Sequence, residues 1–415
     1  MSDRWLILAD DLTGAADCAI AFGRRGRPAA VTWGAVTDAS GHQLPVLAYD
    51  AASRGLAAEA AHGRHADVLA RLCEGRLLFK KIDSTLRGQP AAETVAALRY
   101  LKSKAGRAFG VFAPAFPATG RTTIDEYILV KGRPLEEAEV WRREHTYPNA
   151  DLVDVLATAG IRGEKVLLAA VRGGDLAATF ARLAGEGDVV AVCDAETEHD
   201  LHLIAKASLQ ASPGTFFIGS GGLAHALAGL EVDHAAPPLR IPTSRSGTLI
   251  VVGSLAGASR SAARALEATG SVMHFPVAPE TLLDDDAGRA ALAADVSKRL
   301  AGGGDALVEI MMDDDPDMSL GPRLAEALAD TLEPVAPAIG AFAATGGETA
   351  AAMLARFGVN GIQLADEIEP GVSLGLTLGQ LSVPIATKAG AFGDEHSLIR
   401  ISERLRAVRT KGSFI

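Results

Sequence analysis

The sequence has few cysteines, few aromatic residues and no long apolar run. Its three cysteines, Cys18, Cys73 and Cys193, cannot all pair and lack the close spacing of a zinc site. This argues against a disulfide framework, and we expect a protein of the reducing cytoplasm. The sequence contains no run of about 18 apolar residues, which is the length needed to span a membrane. The apolar run Trp5–Ala9 is also too short for the core of a signal peptide.

The sequence also lacks an excess of positive charge. The chain carries 40 lysines and arginines against 51 aspartates and glutamates, a net charge of −11. Proteins that bind nucleic acid or anionic membranes without other specificity need clustered positive charge. We therefore expect neither partner, and we leave a homodimer open.

What the sequence does have is a repeated alternation of apolar runs, polar or glycine-rich turns, and helical stretches. This order is typical of α/β folds with mainly parallel sheets. At roughly 100–200 residues per domain, the 415 residues suggest two or three domains, and we predict two. The stretch 231–247 is rich in His, Pro, Arg and Ser and has little periodicity. We interpret it as a linker between domains 1–238 and 246–415, with a ligand cleft between them.

The most chemically dense stretch is Phe79–Gly88, which follows the apolar run of a predicted strand. It holds two lysines, an aspartate, two hydroxyl groups and an arginine. Ligands of open α/β sheets bind outside the carboxyl ends of the strands, and these groups suit a small hydroxylated anion. The alternative is a solvated loop in which Ser84 or Thr85 caps a helix that begins near Pro90.

Charged residues follow other predicted strands in the same way. Asp10 and Asp11 follow the first strand, Arg54 follows the strand near 46–49, and Arg121 follows the strand at 108–113. Because the carboxyl ends of parallel strands lie at one edge, we expect these groups to meet there with Lys81 and Asp83. For Asp11, capping of the next helix is the simpler alternative.

In the second half, three glycine-containing turns follow predicted strands. They are 253–259, 345–350 and 384–394. A glycine turn that opens a helix presents free N–H groups and the positive end of the helix dipole, so it suits phosphate. No Walker A sequence occurs. The aspartate-rich stretches 281–300 and 312–317 are more typical of solvated surface than of a metal site.

Taken together, these segments resemble the four-carbon acid sugar kinase family. The similarity covers nearly the whole chain and rests on the following stretches, which stand in family order: 9–15, 80–88, 113–123, 251–254, 345–350, 370–375 and 387–393. It implies an ATP-dependent kinase that uses Mg²⁺ and phosphorylates a terminal hydroxyl of D-threonate, D-erythronate or a 3-oxo-tetronate. It also implies that the N-terminal domain holds the acid and the C-terminal domain the nucleotide.

The resemblance further implies roles for single residues. The implied sugar-acid contacts are Asp10, Arg54, Lys81, Ile82, Asp83 and Ser84, and the implied ATP contacts are Ser254, Gly346, Gly347, Glu348, Thr349 and Gly390. The chain departs from the family at 138–150, where a longer spacer is common. It also has Glu348 where aspartate is frequent.

The chemistry of these residue types fits phosphoryl transfer to an alcohol. That reaction needs positioning, charge neutralisation and an acceptor for the hydroxyl proton. Arg54, Lys81 and Arg121 can neutralise a substrate carboxylate. Asp10, Asp11 and Asp83 can bind hydroxyls, hold Mg²⁺ or act as the base. With Asp10 and Lys81 as the other catalytic candidates, we favour Asp83 as the base because Lys81 and Ser84 flank it.

Two other functions fit parts of the sequence. A dinucleotide-dependent sugar-acid dehydrogenase would need a G-x-G-x-x-G turn after the first strand, where the chain instead has two aspartates that would repel a pyrophosphate. A non-catalytic protein that closes on a sugar acid needs no nucleotide. An assay for ADP release separates this second alternative from a kinase.

Overall fold

The computed structural model describes residues 4–34, 44–209, 214–230, 239–253, 257–311, 320–388 and 393–414. The chain divides into two compact units, Met1–Ala235 and Ala236–Ile415. Ser254, Gly390, the stretch 312–317 and part of the predicted linker lie outside the described residues. Among the residues that are described, no helix is both long and apolar enough to cross a membrane.

The first unit alternates strands with helices. Its strands are β1 (Trp5–Ala9), β2 (Ala29–Trp33), β3 (Val46–Asp50), β4 (Leu77–Lys81), β5 (Phe109–Ala113), β6 (Arg121–Ile124), β7 (Tyr127–Val130), β8 (Arg133–Pro134), β9 (Arg162–Val166), β10 (Val189–Cys193) and β11 (Thr215–Gly219). Its α-helices are α1 (Leu12–Gly23), α2 (Ala58–Leu72), α3 (Pro90–Ala105), α4 (Glu139–Arg143), α5 (Leu152–Ala157), α6 (Leu168–Arg172), α7 (Leu176–Glu186), α8 (Glu198–Ser208) and α9 (Gly221–Ala228). Two 3₁₀ turns occupy Pro117–Thr119 and Leu135–Glu137.

Eight of these described strands pair in the order β2-β3-β1-β4-β11-β5-β10-β9, and every pair is parallel. The central strands β1, β3, β5 and β10 are buried along their whole length, as expected when helices cover both faces. The chain passes from β1 to β2 and β3 on one side, and β4 begins the other side. The carboxyl ends of β1 and β4 therefore flank the position where the strand order reverses, which is where such sheets bind ligands.

The second unit has the same layered construction with one antiparallel part. Its strands are β12 (Thr248–Val252), β13 (Val272–Val277), β14 (Asp305–Ile310), β15 (Ala341–Thr345), β16 (Val359–Glu369), β17 (Val372–Gly379) and β18 (Pro384–Lys388). Its helices are α10 (Gly257–Ala268), α11 (Pro279–Asp284), α12 (Asp286–Ala301), α13 (Gly321–Leu332), α14 (Gly347–Arg356) and α15 (Ser397–Lys411), with a 3₁₀ turn at Glu333–Ala338. The described strands follow the order β13-β14-β12-β15-β18-β17-β16, in which β17 pairs antiparallel with both neighbours.

The predicted α/β class with mainly parallel sheets is confirmed. Beyond the strand predicted at 108–113, residues 121–134 form a small antiparallel sheet of β6, β7 and β8. Residues 135–143 form a 3₁₀ turn followed by the short α4. Further along the chain, β9 ends at Val166 and α6 begins at Leu168.

Candidate functional site

The carboxyl ends of β1, β3 and β4 bring five predicted site residues of the first unit together. Asp10 and Asp11 follow β1, Arg54 lies four residues beyond β3, Lys81 ends β4, and Asp83 follows it. Parallel pairing of β1 with both β3 and β4 places these ends side by side. Residues up to 73 positions apart in sequence thus form one cluster of charges.

Arg54 lies at the centre of this cluster. Its Nε is 2.7 Å from Asp10 Oδ2, and its two terminal nitrogens lie 3.0 Å from the Asp11 carboxylate. Asp83 Oδ1 is 3.8 Å away. Burial opposes the charge, but Asp10, Asp11 and Asp83 hold the pKa of Arg54 well above its ordinary value. One planar guanidinium thus fixes three carboxylates, as its fork of donors allows.

Asp11 has two tasks. Its Oδ1 accepts a hydrogen bond from Gly14 N at 3.1 Å, so it caps α1 as the simpler interpretation predicted. It also contacts Arg54, and Lys81 Nζ lies 3.9 Å from its Oδ1. A Cβ at Gly14 would lie 2.3 Å from Lys81 Nζ, so only glycine allows this approach. Burial opposes the charge on both groups, yet their mutual attraction and Arg54 lower the pKa of Asp11, while Asp10 and Asp11 raise that of Lys81.

Asp83 is held by its own turn. Arg87 donates to it from Nε at 3.1 Å and from Nη2 at 2.9 Å, and Thr85 donates from its backbone N at 3.1 Å and from its hydroxyl. Although burial acts in the opposite sense, Arg87 and Arg54 lower the pKa of Asp83 well below its ordinary value. A carboxylate held in this way is a weak proton acceptor. Arg87 has no role predicted from the sequence, because 83–87 is a turn in which no regular spacing indicates the contact.

Asp10 differs from its two neighbours. It is 2% exposed, and its Oδ2 binds Arg54, whereas its Oδ1 has no hydrogen-bond partner among the residues that the structure describes. A buried carboxylate oxygen without a partner is costly unless a ligand satisfies it. Gly88, with φ of +78°, lets the backbone come close, because its added Cβ would be 3.2 Å from Asp10 Oδ2.

The remaining predicted acid contacts are placed less directly. Ile82 is 1% exposed and belongs to the apolar core cluster, so only its backbone could meet a ligand. Ser84 is 7% exposed, and its hydroxyl makes no hydrogen bond within the described part of the chain. Arg121 on β6 donates to Thr119 O at 3.2 Å, and Asp83 acts on it electrostatically. Burial lowers the pKa of Arg121 below its ordinary value.

Asp50, at the end of β3, is not among the residues predicted from the sequence, yet it lies beside the cluster. It is 5% exposed, and its Oδ1 accepts a hydrogen bond from Ala52 N at 2.7 Å. Ala52 has a φ of +47°, so this bond holds a backbone conformation that alanine rarely adopts. Burial, and after it the charges of Asp11 and Asp10, raises the pKa of Asp50 to about 7.

In the second unit, the predicted turn at Gly346 opens a helix. Gly346 has a φ of +91° and is followed by α14, whose N-terminus has no side-chain cap. Glu348 is exposed and Thr349 is buried. The buried Thr345 Oγ1, just before the turn, has no hydrogen-bond partner among the described residues. This arrangement leaves backbone donors of Gly347, Glu348 and Thr349 available for an anion.

Lys388 ends β18 beside this turn. Its carbonyl oxygen accepts a hydrogen bond from Gly346 N at 3.0 Å, and its Nζ donates to Ser259 Oγ at 3.3 Å. Burial lowers the pKa of Lys388 to about 8, against the opposing effect of Glu369. The sequence indicates a glycine-containing turn at this strand end but predicts no role for Lys388 itself.

Comparison with known proteins matches both units to families. Residues 5–227 match a sugar-binding N-terminal domain, and residues 249–398 match a nucleotide-binding C-terminal domain. A D-threonate kinase of Cupriavidus necator is 45% identical over 95% of this chain and 96% of its own length. A D-threonate kinase of Bordetella bronchiseptica is 34% identical over 97% of this chain and 98% of its own. A crystal structure from Salmonella typhimurium LT2 shares the fold, with a TM-score of 0.82 at 22% identity over 97% of this chain and all of the other.

Proposed function

The chain belongs to the four-carbon acid sugar kinase family, and we propose that it transfers a phosphoryl group from ATP to the terminal hydroxyl of D-threonate. The relatives favour a kinase over the sugar-acid dehydrogenase and over the non-catalytic binding protein. D-threonate is preferred to D-erythronate or a 3-oxo-tetronate because the relatives described above at 45% and 34% identity are D-threonate kinases. A cytoplasmic location belongs to the same proposal.

The observation that carries the proposal is the Arg54-centred cluster at the reversal point of the first sheet. A four-carbon sugar acid has one carboxylate and several hydroxyls, so it needs cations and hydroxyl acceptors in a small volume. The cluster supplies both, because Lys81 adjoins the carboxylate of Asp11, and Arg87 and Arg121 adjoin that of Asp83. Domain 1–238 is therefore assigned to the acid and domain 246–415 to the nucleotide, in line with the two family descriptions.

Within this cluster, we assign acceptance of the substrate hydroxyl proton to Asp10. Its Oδ1 is the carboxylate oxygen that lacks a partner among the described residues, whereas Asp83 already accepts four hydrogen bonds from Thr85 and Arg87 besides one longer contact. The preference for Asp83 as the base stays a prediction, since its bonds to Arg87 would first have to open. Geometry and charge together favour Asp10.

ATP is assigned to the turn that opens α14. The φ of Gly346, the uncapped first turn and the unpartnered Thr345 hydroxyl fit a phosphate group. Mg²⁺ would neutralise charge on the phosphates, and it is usually held by the phosphates, water and one or two carboxylates.

The test is ADP release by the purified protein with a panel of C4 acids. D-threonate is expected to give the highest kcat/KM, followed by D-erythronate and 3-oxo-tetronates, with the product phosphorylated at its terminal oxygen. Phosphorus NMR of the product identifies the acceptor oxygen. Melting temperatures with each acid are the control, because an acid that raises Tm without stimulating ADP release would favour the binding-protein alternative.

A further inference from the structure

A second polar cluster lies beneath the first, inside the protein. Glu93, in the first turn of α3, accepts hydrogen bonds from Lys80 Nζ at 2.8 Å and from Ser53 Oγ at 2.6 Å. His65 Nε2 is 3.3 Å from the same carboxylate and 2.9 Å from Ser53 Oγ. All four residues are 0–1% exposed. We call Ser53, His65, Lys80 and Glu93 the buried network.

The buried network contains one full ion pair. Burial acts to raise the pKa of Glu93, but Lys80 and His65 hold it below its ordinary value, so the carboxylate is charged. Burial lowers the pKa of His65, which is therefore neutral at pH 7. A buried ion pair is not an efficient source of stability, because desolvation offsets most of the attraction. Stabilisation of the first unit is therefore a poor explanation for this ion pair.

Its position gives a different reason. Ser53 directly precedes Arg54, and Lys80 directly precedes Lys81. Lys80 also donates to the carbonyl oxygens of Leu8 on β1, at 3.5 Å, and of Lys81. One carboxylate, Glu93, thus ties together the loop that carries Arg54, the strand that carries Lys81 and the end of β1.

Alternation along β4 explains how this works without contact to a ligand. Successive side chains of a strand point to opposite faces, so Lys80 faces α2 and α3 while Lys81 faces the start of α1. A shift of Lys80 moves Lys81 with it, since the two share a peptide bond. The same holds for Ser53 and Arg54.

From these contacts we propose that Glu93 is a positioning residue of the kinase, which sets the separation of Arg54 and Lys81 through Ser53 and Lys80. The proposal rests on the proposed function and assigns no contact between Glu93 and the substrate. Loss of the Glu93 carboxylate should therefore weaken binding of the acid more than binding of the nucleotide.

The first test is Glu93→Gln, assayed with D-threonate and ATP. We expect kcat/KM for D-threonate to fall about 10- to 100-fold, since small displacements of positioned groups cost up to about 100-fold. This fall should come from a higher KM for the acid, while KM for ATP stays unchanged. The matched control is Asp200→Asn, which removes a buried carboxylate of the same unit that binds Arg172 at 2.8 Å. It should lower Tm but leave both KM values unchanged.

A second variant separates positioning from folding. Lys80→Met/Glu93→Gln removes the ion pair without leaving an unpaired buried charge, so Tm should recover towards that of the parent. The defect in kcat/KM should persist, because Lys80 no longer links β4 to α3. Recovery of both Tm and kcat/KM in this variant would overturn the proposal.

Hydrogen exchange of the ligand-free protein tests the proposal independently of catalysis. In Glu93→Gln, peptides covering 50–56 and 81–88 should exchange faster than in the parent, and Asp200→Asn should not change them. If the parent phosphorylates no acid, the proposed function fails while this exchange result still decides the role of Glu93. Unchanged exchange in both peptides would contradict it.

Discussion

The candidate sites of the two units differ in the atoms that they present to a ligand. The candidate site of the first unit is made of charged side chains around Arg54, whereas that of the second is made of backbone N–H groups around Gly346. Recognition of a hydroxylated acid requires a hydrogen bond or ion pair to each of its polar groups, and side chains of fixed orientation provide these. A phosphate needs donors and positive potential, which a helix N-terminus supplies. Substitutions that remove a charged side chain should therefore impair the first site, whereas substitutions that change the backbone conformation should impair the second.

The largest effect is expected from Arg54→Met. Three carboxylates would lose their shared cation; breaking a fully buried pair typically costs about 3–5 kcal/mol, which is an upper bound here because the Arg54 side chain is 21% exposed. We expect kcat/KM for D-threonate to fall about 1000-fold and Tm to fall, with little change in nucleotide affinity measured by calorimetry. Arg162→Met, at an exposed arginine of the same unit, is the control and should retain parental activity. Equal loss of acid and nucleotide affinity would contradict the assignment of the two ligands to different units.

A somewhat smaller effect should distinguish the two aspartates. Asp10→Asn is expected to lower kcat about 100-fold or more, as for loss of a positioned proton acceptor. Asp83→Asn keeps the acceptor oxygen for Thr85 and should lower kcat less than about tenfold, while Tm falls because Arg87 loses its partner. Single-turnover kinetics separates the chemical step from binding. The reverse order, with Asp83→Asn the slower enzyme, would return the base role to Asp83.

Gly346→Ala tests the second site through its backbone. At φ of +91° an alanine is strained by about 1–3 kcal/mol, so the turn should relax and lose its alignment. We expect KM for ATP to rise about tenfold, with KM for D-threonate unchanged. Gly270→Ala is the control, since Gly270 has a φ of +67°, no contact within 4 Å of an added Cβ and no role in the turn. A rise in KM for ATP in that variant too would show that strain anywhere in the second unit suffices.

The smallest effect, about 1 kcal/mol for each pH unit, concerns Asp50. Its pKa of about 7 exceeds that of the unfolded chain, so the folded state binds the extra proton. Stability should thus be highest below about pH 4 for this group's contribution, decline as the pH rises from about 4 to 7, and stay reduced above that. Asp50→Asn should flatten this decline by about 1 kcal/mol per pH unit, measured by urea unfolding. Asp67→Asn, at an exposed position on α2, should follow the parent's curve, and an unchanged slope in Asp50→Asn would refute the assignment.

The sequence predicted the parallel layers and the common edge of the first site well. This succeeded because fully apolar runs such as Trp5–Ala9 are typical of buried parallel strands, whose carboxyl ends must share an edge. The roles within the site were harder to predict. The bond between Asp11 and Arg54 joins residues 43 positions apart, and only the sheet order decides that they meet.

Other features had no local signal or had one that was not used. Glu93, Lys80 and Ser53 come from three elements, and none stands in a pattern that indicates a shared network. The hairpin of β16 and β17 was not predicted, although the Pro370-Gly371 pair is a common turn signature and Gly371 has a φ of +82°. The small sheet at Arg121–Pro134 was missed because its strands have only two to four residues each.

The adjacent lysines of β4 have a consequence for folding fidelity. A slip of β4 by one residue would place one lysine in the position of the other and an apolar side chain, Phe79 or Ile82, in the position that is left, so either Glu93 or Asp11 would face no ammonium group. Both carboxylates have a cationic partner only in the native register. The two ion pairs therefore help to select the register of β4 during sheet assembly, together with the packing of the buried Leu78 and Phe79.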